Sequence, residues 1–153
     1  MLTSLLAVFL LLAPVTVDAF KKEMAPLQSG VEALIVSTGA QVMQRSHAIY
    51  LEGYGIVVST EIVFERPQGP FDTPKPPAEL RKLVDQRRKD LQEKLTAFVK
   101  ERIVRTESIG PTDSLTIVIH VLNSHPVELP TLPVQMQVTV KKDAPQDVKP
   151  REF

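Results

Sequence analysis

Between residues 79 and 105, Leu80, Leu83, Val84, Leu91, Leu95, Phe98, Val99 and Ile103 recur at spacings that bring them onto one broad stripe, and charged residues fill most positions between them. That period predicts an amphipathic α-helix roughly 40 Å long at about 1.5 Å per residue. Pro76-Pro77 sit where a helix's first turn accepts proline, because the missing N–H has no partner there in any case. An apolar stripe of this length must be covered. The β-branched runs on either side of it supply the simplest cover, a sheet in a second layer.

Those runs differ in character. In residues 56–64 one face carries Ile56, Val58, Thr60, Ile62 and Phe64, and the other mixes Val57, Ser59, Glu61 and Val63. This alternation predicts a strand with one fully buried face. His47 to Leu51 read as its partner, and Glu52-Gly53-Tyr54-Gly55 as the tight reversal between them, with glycines for the positive φ values a hairpin needs. Residues 115–122 are nearly all apolar, as in a central strand covered on both faces. Val134, Met136, Val138 and Val140 alternate with polar residues, as in a strand nearer an edge. Residues 20–46 leave two readings open. Leu27, Val31, Leu34, Ile35 and Val42 can share a helical face with Pro26 in the first turn, while Leu34-Ile35-Val36 before Ser37-Thr38-Gly39 can be a short buried strand. A short helix is favoured. The polar stretch 142–153, with two prolines, is expected to be disordered. The expected architecture is α+β: one long amphipathic helix on a mostly antiparallel sheet of about four strands, as a single domain over residues 20–141.

The start of the chain bears on compartment. Residues 5–13 are uncharged and apolar, and the run reaches Val17 before Asp18 stops it. That is too short for a membrane span, which needs roughly 20 apolar residues, and it fits the apolar core of a signal peptide. Val17-Asp18-Ala19 place small residues where a signal peptidase reads, so residues 1–19 are expected to be removed and Phe20 to begin the mature chain. No Lys or Arg precedes the apolar core, and the first basic residues are Lys21 and Lys22. The expected destination is the periplasm or the medium, with no transmembrane span left after cleavage. The chain has no Cys, which excludes thiol catalysis, thiolate metal sites and disulfide support. Lys plus Arg number 18 and Asp plus Glu also 18, a balance that gives no support for a nucleic-acid partner, which would need a concentrated basic face.

The segment Ile49-Tyr50-Leu51-Glu52-Gly53-Tyr54-Gly55-Ile56-Val57-Val58 resembles the Y-L-x-G-Y-G-x-V-F stretch of exported bacterial proteins of unassigned function. Val58 stands where those proteins usually have an aromatic residue. The resemblance implies export and bacterial origin, and it brings no activity and no catalytic residue with it.

Familiar chemistry is scarce. The three histidines, His47, His120 and His125, form no His-Glu-x-x-His pattern, so no metal is expected. His120, inside an apolar strand, reads as half-buried and satisfied. No Gly-x-Ser-x-Gly elbow surrounds a serine, and the scattered glycines make no phosphate loop. Neither catalytic residues nor a cofactor are therefore expected. Candidate binding residues are Tyr54 at the hairpin tip and the helical cluster Arg87, Arg88 and Lys89. The cluster suits an anionic surface, or else a solvated face laced by pairs such as Asp85–Lys89 and Asp90–Lys94. The leading expectation is an exported, non-enzymatic module that binds a protein or cell-envelope component. The rivals are a small hydrolase-like enzyme using His120 with Glu61, and a small-ligand binder using the helix–sheet cleft.

Overall fold

The computed structural model describes residues 17–153. Most of the expected signal segment, residues 1–16, lies outside the described residues. Seven elements follow in order: α1 Val17–Ser37, β1 Gln41–Leu51, β2 Gly55–Val63, α2 Pro77–Arg105, β3 Ser114–Val121, β4 Gln135–Lys141 and β5 Ala144–Glu152. The strands form one sheet in the order β1-β2-β3-β4-β5. The fold is α+β, with the expected long helix present. The sheet has five strands and is mixed: β2 and β3 run parallel, and the other three pairings are antiparallel. A parallel pair needs a long crossover, which α2 provides.

Three expectations need correction. Residues 142–153 are not disordered, because Ala144–Glu152 is a strand that pairs with β4 from Met136↔Glu152 to Lys141↔Ala144. Its end is fastened where the Phe153 N–H donates to the Gln135 carbonyl at 3.0 Å. The domain therefore continues past residue 141. The first helix is not short, and Pro26 lies inside it rather than in its first turn. Strand β1 begins at Gln41, six residues before the expected partner of β2, with two register shifts before His47.

The helices pack on the same side of the sheet. Leu27, Val31 and Ile35 of α1 are buried together with Leu80, Val84, Leu91, Leu95, Val99 and Ile103 of α2. Opposite them lie Ile56, Val58 and Ile62 of β2, Leu115, Ile117 and Ile119 of β3, and Met136, Val138 and Val140 of β4. The two helices meet at Gly30, where a Cβ would stand 2.7 Å from the far edge of the Phe98 ring, so a larger residue there would make that ring shift. Near its start α1 is tied down twice. Phe20 meets the Tyr50 ring edge-on at 5.5 Å between centroids. The Glu23 carboxylate accepts from the Glu107 N–H at 2.7 Å, the Ser108 N–H at 3.2 Å and the Ser108 hydroxyl.

Candidate functional site on the open face of the sheet

With both helices on one side, alternation sends every second side chain of the sheet to a face that no helix covers. Tyr54 crosses onto this face. Its N–H closes the turn on Leu51 O at 3.0 Å, and its carbonyl accepts from the Ser114 N–H at 2.7 Å. Gly55 follows at φ 120°, where a Cβ would fall 2.1 Å from the Ser114 carbonyl oxygen. Any other residue there would push the hairpin end away from β3. So anchored, the Tyr54 ring lies over the sheet with 40% of its surface exposed. Its hydroxyl hydrogen-bonds the Thr116 hydroxyl at 2.8 Å. The Tyr54 reading is thereby refined: the ring is neither a bare tip nor a core residue.

Thr116 continues to the Thr139 hydroxyl at 3.0 Å, and Thr139 also accepts from Gln137 Nε2 at 3.0 Å. Tyr54, Gln137, Thr139, Lys149 and Arg151 line a cleft of about 200 Å³. Register explains the meeting, since Lys149 pairs with Thr139 and Arg151 with Gln137. The last two residues come from the stretch expected to be disordered, so only Tyr54 of this group was a sequence candidate. Toward β1 the same face exposes Ile49 and Leu51.

The basic cluster on α2 does not form a patch. Successive helical residues point about 100° apart, and the three neighbours part company accordingly. Arg87 turns to the end of β2, donating to the Phe64 carbonyl at 2.5 Å and the Glu65 carboxylate at 2.7 Å. Arg88 turns to β5, pairing with Glu152 at 2.7 Å and Asp85 at 3.3 Å. Lys89 is exposed. Of the expected intrahelical pairs Asp90–Lys94 forms, at 2.9 Å, whereas Asp85 takes Arg88 instead of Lys89. Burial by itself would raise the Glu65 pKa, but the bond to Lys75 and the charges of Lys75 and Arg87 outweigh it and hold the carboxyl below its ordinary range. Arg87 and Arg88 thus hold the α2 layer to the sheet.

His120 is exposed rather than half-buried, because its position in β3 points to the open face. It is the register neighbour of Glu61 on β2, and His47 is likewise the neighbour of Ser59. Among the described residues no side-chain hydrogen bond or ion pair joins these four, and no group of three or more His, Asp or Glu is placed to hold a metal. A larger cleft of about 410 Å³ lies between α2 and the β3–β4 connection, lined by Arg81, Val84, Arg88, Leu129 and Leu132 among others. Its charges are largely spent: Arg81 donates to the Glu128 carbonyl, and Arg88 is doubly paired. Among the described residues no helix is long and apolar enough to cross a membrane. Comparison with known proteins returns no family model, no curated protein and no solved structure that matches this chain.

Proposed function

We propose that this chain is an exported, periplasmic or secreted, non-enzymatic module that binds a protein or cell-envelope component through the open face of its sheet. One observation carries the reading: a five-stranded sheet covered by helices on one side presents on the other Ile49, Leu51 and Tyr54 beside a polar, cationic cleft. Exposed aromatic and aliphatic groups next to hydrogen-bonding groups are what recognition surfaces use. Export is supported by the apolar run before Ala19 and by the resemblance around Tyr54 to exported bacterial proteins.

The hydrolase-like alternative draws on the register contact between Glu61 and His120. Both stand on the uncovered face of the sheet, and among the described residues no side-chain hydrogen bond joins them.

The test is photo-crosslinking in a bacterial host that exports the chain. A photoreactive residue at position 49 should yield a discrete adduct in the envelope fraction, and the same group at Glu93 on α2 should not. Intact mass should place the exported chain's start at Phe20. An adduct pattern no different between the two sites would overturn the binding surface, and retention of Met1 would overturn the processing.

A further inference from the structure

The geometry points to the cleft beneath Tyr54 as a binding site for a phosphate-type oxyanion, a deeper form of the open-face reading and dependent on it. The argument is a count of protons. Tyr54, Thr116 and Thr139 contribute three hydroxyl protons but share only two hydroxyl–hydroxyl contacts. Whichever way each contact is oriented, one O–H remains unspent. Gln137 Nε2 gives one of its two N–H groups to Thr139 and retains the other. The Gln137 N–H and, when its proton points outward, the Tyr54 or Thr139 hydroxyl are therefore donors the cleft can offer to a partner's acceptors.

Charge sharpens the choice. Arg151 has no ion pair among the described residues, and Lys149 has only Asp147, at 3.5 Å and well exposed. No carboxylate lines the cleft, whose residues are Tyr54, Gln137, Thr139, Lys149 and Arg151. A guanidinium, an ammonium and neutral donors around one small concavity suit a tetrahedral oxyanion, since charge-assisted hydrogen bonds to both cations form together with those from the neutral donors. The oxyanion can be free phosphate or a phospholipid headgroup, and both present the same atoms.

The experiment uses the mature chain beginning at Phe20, titrated by two-dimensional NMR with inorganic phosphate and, separately, with vesicles of phosphatidylcholine containing phosphatidylglycerol. Saturable shifts at Gln137, Thr139 and Arg151 in either titration support the proposal, and which titration saturates identifies the source. Arg151→Gln should weaken binding about tenfold and Tyr54→Phe about threefold, in keeping with one charged and one neutral hydrogen bond. Lys89→Gln, on the far layer, should leave it unchanged. No binding in either titration overturns the proposal, as does a loss with Lys89→Gln equal to that with Arg151→Gln, which would mean only diffuse attraction to positive charge. Crosslinking from position 49 persisting without anion binding would sink this inference and leave the open-face reading standing.

Discussion

The two faces of the sheet are made by the same five strands and have opposite contents. In β3, Leu115, Ile117 and Ile119 go under the helices and are fully buried, while Thr116, Val118 and His120 alternate to the other side. In β4, Met136, Val138 and Val140 are buried, and Gln137 and Thr139 join the hydroxyl network. Burying each large aliphatic side chain contributes about 1.5–3 kcal/mol. The covered face thus supplies most of the cohesion of a domain that has no disulfide. The open face is released from that duty and can hold polar groups in fixed register. Division of labour between faces follows from a period of two residues and from where the helices lie.

Substitutions can break this contrast or refine it. The largest effect belongs to the covered face: Leu95→Ala is expected to cost about 2–5 kcal/mol, because Leu95 is buried in the middle of α2 and truncation leaves a cavity. An unchanged denaturant midpoint would dissolve the distinction between the faces. Next comes the seam where α2 meets the sheet's end. Arg87→Ala leaves the Glu65 carboxylate, 14% exposed, short of a partner and should cost about 1.5–3 kcal/mol at neutral pH. The Glu65 pKa is depressed in the folded protein, so its stabilisation is present above the unfolded value and fades as pH falls through the folded one. The urea-midpoint gap between the two proteins should therefore be widest at pH 7 and begin to narrow as pH falls through the ordinary carboxylate range of about 4, closing further in stronger acid. A gap of unchanged size in acid would mean that Arg87 acts through its bond to the Phe64 carbonyl and through packing, and not through the Glu65 charge. The smallest effect is on the open face. Tyr54→Phe removes one hydroxyl from a half-exposed network and should cost about 0.5–1.5 kcal/mol. A loss as large as that of Leu95→Ala would make the open face a second core.

Most of the architecture could be read from residue pattern because periods of 2 and 3.6 are written locally. The alternation in residues 56–64 and the stripe in residues 79–105 correspond to β2 and α2 within two residues at each boundary. What escaped is non-local. The β5 sequence, Ala-Pro-Gln-Asp-Val-Lys-Pro-Arg-Glu, has little strand propensity of its own, and it is a strand because β4 offers an unpaired edge to template it. The site depended on that strand, so Lys149 and Arg151 could not be joined to Tyr54 beforehand. The basic run on α2 shows a different limit: in sequence the cluster suits either an anionic surface or an ion-paired face, and only the fold shows that the helix turns Arg87 and Arg88 to separate partners. Tyr54 was found because glycines on both sides mark a forced turn, although the direction of its ring depends on Thr116, 62 residues away.

The prolines of β5 have a consequence for self-association. Pro145 and Pro150 lack the N–H that an incoming strand would need, and Asp147, Lys149 and Arg151 put charge beside them. At the opposite border, the two irregularities in β1 interrupt the flat template that fibril growth requires. Both borders of the sheet therefore resist zippering onto another copy. A domain held together without disulfides depends on staying monomeric while its sheet edges are open, and here the ladder's ends provide that protection.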